Sequence, residues 1–129
     1  MKSRSAAPLD YREPSEGWKR DNGDTLPPEP SNHYYIEEIK NGTIVKTHRL
    51  VSKTFFVVGR LSSNDIQLEH PSLSRHHAVI QYKSLASEAQ PVGFYLYDLG
   101  SGHGTYHNKH RCFPKRYYRY AVIFKFPKN

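Results

Sequence analysis

Cysteine, long apolar runs and acidic residues are all scarce in this chain of 129 residues. Cys112 is the only cysteine, so no disulfide can form within the chain, and a reducing compartment is the simplest setting for it. No apolar run approaches the roughly 20 residues that cross a bilayer, which predicts no membrane partner. Helical periodicity is absent throughout, which argues against a fold built on helices.

The shortage of acidic residues leaves the chain basic. Nineteen Lys and Arg residues face 12 Asp and Glu residues, which gives a net charge of +7 and a pI near 9.5. A basic chain favours an anionic partner, such as a phosphopeptide or a nucleic acid. The basic residues are not gathered into one block, so no dedicated nucleic-acid tail is indicated.

The first 32 residues differ in composition from the rest. They contain five prolines and many charges but few large apolar side chains, and such segments bury too little surface to offset the entropy of ordering. We therefore predict a disordered tail over 1–32 and a domain over 33–129. Trp18 is the exception in this tail, and it fits either an exposed tail residue, which we favour, or a short linear motif for a partner.

Short apolar runs separated by turn signals predict strands over the remainder of the chain. Asn41-Gly42 is the strongest hairpin signal, because both residues tolerate the positive φ of a type I′ turn. The expected strands are Tyr34–Ile39, Thr43–Leu50, Thr54–Val58, Ile66–Leu68, Ala78–Tyr82, Phe94–Leu99, Thr105–Tyr106 and Ala121–Phe126. Many short strands of this kind predict an all-β sandwich of antiparallel strands, with Thr54–Val58 buried on both sides.

Three of these strands are followed by polar segments that carry reactive or charged side chains. Gly59-Arg60 ends one strand, Ser74-Arg75-His76-His77 lies between two others, and the glycine-rich segment Asp98–Thr105 ends a third. Loops held by a sheet are common places for binding chemistry.

This combination resembles the forkhead-associated (FHA) domain, whose pattern is G-R, then S-R-x-H, then D-L-x-S-x-N-G-T and a later Asn. The order and spacing match over about Tyr34 to Tyr118. The resemblance implies a β-sandwich with its binding loops at one end, and a non-enzymatic module that binds phosphothreonine peptides without a cofactor. Relatives carry two full strands after the later Asn, so we expect the domain over 33–129 to be C-terminally incomplete and to lack its last strand.

The resemblance also assigns roles to individual residues. Phosphopeptide contacts would come from Arg60, Ser74, Arg75, Gly102, His103 and Asn108. Structural support for the loops would come from Gly59, His77, Asp98, Gly104 and Thr105. His103 departs from the pattern, because relatives usually carry Asn there and the reach of a histidine ring is different. The implied partners are proteins that contain phosphothreonine, and the implied location is nuclear or cytoplasmic, where the chain would act as an adaptor.

Other interpretations of the same residues remain open. Ser74, His77 and Asp98 could form a catalytic triad, although no nucleophile-elbow pattern surrounds the serine. Several histidines fall near the predicted loops, but no acidic or cysteine residue has suitable spacing to complete a metal site with them. The segment Lys115–Tyr120 could bind RNA or another nucleic acid by stacking bases on its aromatic side chains, or it could be an edge strand protected by charge. Possible partners thus include RNA or RNA-associated proteins.

Overall fold

The computed structural model describes residues 9–14, 18, 34–87, 89–107, 109–119 and 124–125, and this part of the chain contains strands and no helix. Except for 9–14 and 18, the predicted disordered tail lies outside the described residues. The strands are β1 Tyr35–Lys40, β2 Thr43–Arg49, β3 Phe55–Gly59, β4 Ile66–Gln67, β5 Ala78–Lys83, β6 Gly93–Asp98, β7 Tyr106–His107, β8 His110–Arg111, β9 Tyr117–Arg119 and β10 Phe124–Lys125. The all-β prediction is confirmed.

The first two strands form a separate hairpin. Asn41 and Gly42 at its tip have φ angles of 52° and 78°, as the predicted type I′ turn requires. The pairing is antiparallel and shifts register between Glu38 and Ile39. Within the described residues, β2 is the only neighbour of β1.

Five strands form the main sheet in the order β4-β3-β5-β6-β9. One pair departs from the antiparallel prediction, because β3 and β4 run parallel, with Val58 opposite Ile66. The loop 60–65 brings the chain back alongside β3. The Asp65 carboxylate, just before β4, accepts a hydrogen bond of 2.8 Å from the Val57 N–H. The carboxylate thus satisfies a backbone donor of β3 that the two-residue strand β4 is too short to reach.

The inner face of this sheet carries the hydrophobic core. Side chains alternate along each strand, so that Phe56, Val58, Ile80, Phe94 and Leu96 point to the same side. Ile36 of the hairpin and its flanking residues Tyr34 and Leu50 pack against them and supply a second layer. Because β3 is also covered on its other face, Val57 is as buried as its neighbours, and the prediction of a strand buried on both sides is confirmed.

The C-terminal part adds a small third sheet in the order β10-β7-β8. Phe124 and Lys125 of the predicted strand Ala121–Phe126 form β10, which pairs with β7, and the other residues of that strand lie outside the described residues. Strand β9 is an edge strand of the main sheet, in keeping with the edge-strand interpretation of Lys115–Tyr120. The described residues include no helix long and apolar enough to cross a membrane.

Candidate functional site

Three loops meet at the end of the main sheet where β3 stops and β5 starts. The Arg60 N–H donates to the Ser74 carbonyl at 3.1 Å, which joins the loop after β3 to the loop before β5. The Leu99 N–H donates to the His77 carbonyl at 3.0 Å, and the Gly102 N–H donates to Ser74 Oγ at 3.3 Å. These bonds bring together the three polar segments that the sequence singled out.

Arg60 is fixed near its backbone but not at its tip. Its Nε donates to the Leu73 carbonyl at 3.1 Å, and its own carbonyl accepts from Gln67 Nε2 at 3.0 Å. The described residues give the two terminal guanidinium nitrogens no partner, so their donors can still bind a ligand. An open depression of about 470 Å³ lies beside them, lined by Arg60, Glu69, His70 and Pro71.

Gly59 allows this close approach of the two loops. A Cβ atom there would lie 2.2 Å from the Arg75 carbonyl oxygen and 2.7 Å from Asn64 Nδ2. Asn64 is a supporting residue that the sequence pattern did not reveal. Its Nδ2 donates to the Arg75 carbonyl at 2.7 Å, and its Oδ1 lies 2.9 Å from His76 Nδ1. It therefore holds the loop that presents Ser74 and the exposed Arg75 side chain.

His77 joins two of the loops from inside the protein. It is completely buried, its Nδ1 accepts from the Ser74 N–H at 3.1 Å, and its Nε2 is 2.9 Å from the Gly104 carbonyl. An accepting Nδ1 requires the proton on Nε2, which then donates to Gly104. Burial lowers the pKa of His77, which favours this neutral form.

The same contacts argue against a catalytic triad. Both ring nitrogens of His77 bind backbone groups, so neither is positioned as a base for the Ser74 hydroxyl. The Asp98 carboxylate is equally occupied, because it accepts from the Gly100 and Ser101 N–H groups and from the Ser101 and Thr105 hydroxyls at 2.6 to 3.0 Å. The arrangement braces loops and provides no activated nucleophile.

Asp98 organises the glycine turn after β6. Burial on its own would raise the pKa of the carboxyl group, but the four hydrogen bonds outweigh it and lower the pKa below the usual value. Thr105 is fully buried against this carboxylate. Gly104 has a φ of 87°, a conformation that side chains disfavour, and it lies under the Arg111 guanidinium.

The tip of this turn points to solvent. Gly102 and His103 are both exposed, and the Gly102 carbonyl accepts from Arg111 Nη2 at 3.4 Å. Arg111 is a second residue that the sequence pattern did not reveal, since it belongs to the short strand β8 that we did not predict. Asn108, the remaining predicted contact residue, lies outside the described residues.

The aromatic residues proposed for RNA binding are engaged elsewhere. Tyr118 packs against the core, and on the outer face of the sheet the Tyr117 ring packs against Trp18 while its hydroxyl lies 2.7 Å from that of Tyr11. Neither ring is available to stack on a base, and Tyr120 lies outside the described residues. The described His, Cys, Asp and Glu side chains also contain no group of three placed to hold a metal ion.

Comparison with known proteins is consistent with this geometry. The family model for the FHA domain matches residues 56–122. Human kanadaptin is 46% identical over 93 residues, which are 69% of this chain and 12% of kanadaptin. Mouse Smad nuclear-interacting protein 1 is 33% identical over 102 residues, which are 71% of this chain and 27% of that protein. The solved structure of the yeast Pml1 splicing factor superposes with a TM-score of 0.63 at 24% identity and covers 88% of this chain and 83% of that one.

The chain thus spans only a small part of the curated relatives that it matches. The likeness to the yeast structure supports the β-sandwich fold, and the family match covers the strands that carry all three loops. By sequence and by the arrangement of its loops, this chain belongs to the FHA domain family.

Proposed function

We propose that the chain binds phosphothreonine peptides at the three loops and so recruits phosphorylated proteins without catalysing a reaction. FHA domains are phosphopeptide-recognition modules that mediate protein interactions. The more specific assignment to phosphothreonine rests on the residues of the three loops in this chain. The observation that carries it is the Arg60 guanidinium, fixed through Nε to the Leu73 carbonyl with its terminal donors unpaired among the described residues.

The chemistry of the ligand fits these groups. A phosphothreonine carries about −1.5 to −2 charges and three strong acceptor oxygens. The Arg60 fork would bind two of those oxygens, and the Ser74 hydroxyl beside it would donate to the phosphate. Ser74 Oγ accepts from Gly102 N–H, so its own proton stays available for a ligand.

Contacts to the peptide chain would come from the exposed residues around this centre. Arg75 adds positive charge on one side, and Gly102 and His103 project from the glycine turn on the other. His103 would donate to the peptide backbone in place of the Asn that relatives carry, and Asn108 completes the proposed contact set. Gly59, His77, Asp98, Gly104 and Thr105 would act indirectly, by fixing the loops.

The relatives suggest where such a partner would be found. One is named as a Smad nuclear-interacting protein, and another is a splicing factor that is integrated into the RES complex. We accordingly propose a nuclear location for this chain and phosphorylated, RNA-associated proteins as its partners. The net charge of +7 agrees with an acidic ligand.

Isothermal titration with a matched pair of peptides, with and without phosphate on threonine, tests the proposal. We expect a Kd on the order of micromolar, about −8 kcal/mol, for the phosphopeptide selected from an oriented library. Arg60→Ala should weaken it at least about 30-fold, because removing one partner of a hydrogen-bonded charge pair costs about 2 kcal/mol or more.

Arg49→Ala is the matched control, because Arg49 is an exposed arginine on β2 and its loss changes the net charge equally. It should leave the affinity within about twofold. Equal affinity for the two peptides, or equal losses in the two arginine variants, would exclude a specific phosphate site at Arg60.

A further inference from the structure

The outer face of the main sheet is apolar and aromatic although it lies opposite the core. The residues that point to it from β3, β5, β6 and β9 are Phe55, Val57, Val79, Gln81, Lys83, Tyr95, Tyr97, Tyr117 and Arg119. Gln81, Lys83 and Tyr95 are each no more than 2% exposed. Burial of two polar side chains to this degree requires a cover, and Tyr11 and Trp18 provide it.

Tyr11 is held on this face by both its ring and its hydroxyl. The ring centroid lies 5.3 Å from the centroids of Phe55 and of Tyr97. The hydroxyl donates to Gln81 Oε1 at 2.6 Å and lies 2.7 Å from the Tyr117 hydroxyl. A phenylalanine would fill the same space but would leave the buried Gln81 oxygen without this donor, so the face distinguishes tyrosine from phenylalanine.

Gln81 also binds an acidic residue, Glu13, which lies two positions after Tyr11 in the sequence. Gln81 Nε2 donates to Glu13 Oε1 at 3.0 Å. One buried amide thus bonds a phenol through its oxygen and a carboxylate through its nitrogen. The two side chains that Gln81 binds, Tyr11 and Glu13, are half-buried, whereas Asp10 and Arg12 beside them are exposed.

Trp18 closes the other end of the contact. Its ring lies 4.6 Å from Tyr117 and 5.3 Å from Tyr95 between centroids, and Lys83 Nζ is 4.8 Å from its centroid. Its carbonyl accepts from the N–H groups of Ser84 at 3.0 Å and Leu85 at 3.3 Å. An ammonium over an indole is a favourable cation–π contact, and it compensates a lysine buried away from water.

We propose that the outer face is a second peptide-binding surface, independent of phosphate, which recognises Tyr-x-Glu followed by Trp and is occupied in cis by residues 9–14 and 18. Phe55, Gln81 and Tyr95, which this surface includes, are paired across three neighbouring strands. The phosphopeptide loops follow Gly59 and Asp98, at the other end of the same strands. A partner segment with the same three groups would compete with the chain's own segment. Tethering holds that segment at an effective concentration on the order of millimolar, so only a strong competitor would displace it.

Trp18 is the only tryptophan, so its fluorescence reports directly on the wild-type chain. We expect quenching by acrylamide to be several-fold weaker in the native protein than in denaturant. Arg60→Ala should leave the quenching unchanged even though it weakens phosphopeptide binding. A native tryptophan as accessible as the denatured one would overturn the proposal, and this measurement needs no variant of the outer face.

Binding in trans tests recognition directly. A fluorescently labelled peptide of residues 9–18 should bind the full-length double variant Tyr11→Ala/Trp18→Ala at least about tenfold more tightly than it binds the wild-type chain, where the face is already filled. A peptide that carries Glu13→Ala or Tyr11→Phe should bind that variant more weakly. The variant Ile44→Ala, at an exposed apolar residue of β2, is the control and should behave as wild type.

The outcomes separate this surface from the phosphopeptide site. The double variant should retain its circular dichroism and its affinity for the phosphopeptide, because none of its altered contacts reach the three loops. Equal binding of the labelled peptide to the double variant and the wild type, or no binding to either, would overturn the proposal. If the double variant fails to fold, the quenching of the wild-type tryptophan still decides it.

Discussion

His77 is the side chain through which the loop before β5 is attached to the glycine turn after β6, so its removal is the sharpest test of how the site is held. His77→Ala would deprive the Ser74 N–H and the Gly104 carbonyl of their bonds at 3.1 and 2.9 Å inside the protein. Each buried polar group left unpaired costs about 1–3 kcal/mol, and the vacated volume adds to that. We expect a loss of about 4 kcal/mol.

Such a loss is large for this protein. At roughly 0.05–0.15 kcal/mol per residue, the free energy of unfolding is on the order of 10 kcal/mol. The melting temperature should fall by about 15 °C, given about 4 °C for each kcal/mol at this chain length. Urea unfolding followed by circular dichroism measures it, and His110→Ala, at an exposed histidine on β8, is the control. A loss below about 1 kcal/mol for His77→Ala would refute the bracing argument.

The same residue predicts a dependence of stability on pH. Burial lowers the pKa of His77 in the folded state, so below about pH 6.5 the unfolded chain binds a proton that the folded chain resists. Stability should therefore fall as the pH decreases from about 6.5 toward the folded pKa, by at most about 1.4 kcal/mol per pH unit from this group. His77→Gln should remove this part of the slope. Identical pH profiles for the variant and the wild type would contradict the assignment.

Two further predictions concern the loops. Gly59→Ala places a methyl group 2.2 Å from the Arg75 carbonyl and should cost about 1–3 kcal/mol in urea unfolding and weaken phosphopeptide binding, whereas Gly102→Ala, with open space around it, should leave stability unchanged. Asp98→Asn should cost about 2–4 kcal/mol, because an amide offers one acceptor oxygen and no charge to a set of four donors. Asp98 stabilises the wild type above about pH 3.9, and this contribution is lost as the pH falls through the lowered pKa of its carboxyl group. Asp98→Asn should lose this pH-dependent contribution to stability. Gly59→Ala should keep it and should unfold in acid at a higher pH only because its overall stability is lower.

The features that the sequence predicted are those encoded by local chemistry. Asn41-Gly42 specifies its turn because few other pairs accept two positive φ angles. The core strands were predicted because alternation and apolar runs report burial directly, as in Phe56 and Val58. The association of Arg60 with Ser74 was implied by the resemblance to FHA domains, and in the structure the Arg60 N–H donates to the Ser74 carbonyl.

The features that were missed depend on geometry between distant residues. Strand β8 has two residues and no periodicity, so nothing in the sequence marked Arg111 as a neighbour of the glycine turn. Asn64 lies outside every motif of the sequence pattern, and its two bonds to the loop before β5 depend on the close approach that Gly59 allows. The parallel pairing of β3 and β4 was missed because so short a return is unusual for parallel strands.

The sequence also contains a signal for the covered outer face, but that signal lies in strand β6 and not in the composition of the tail. Composition argued that residues 1–32 bury too little surface to order, and Trp18 was accordingly taken as exposed, whereas the structure packs it on Tyr95 and Tyr117. That argument counts only the surface of the segment itself. The run Phe94–Tyr97 has large apolar side chains on both faces, and a sheet open to water on one side would alternate with polar residues there. A two-faced apolar strand at the position of β6 therefore requires a second cover, and an otherwise polar tail with one tyrosine and one tryptophan is the segment able to supply it.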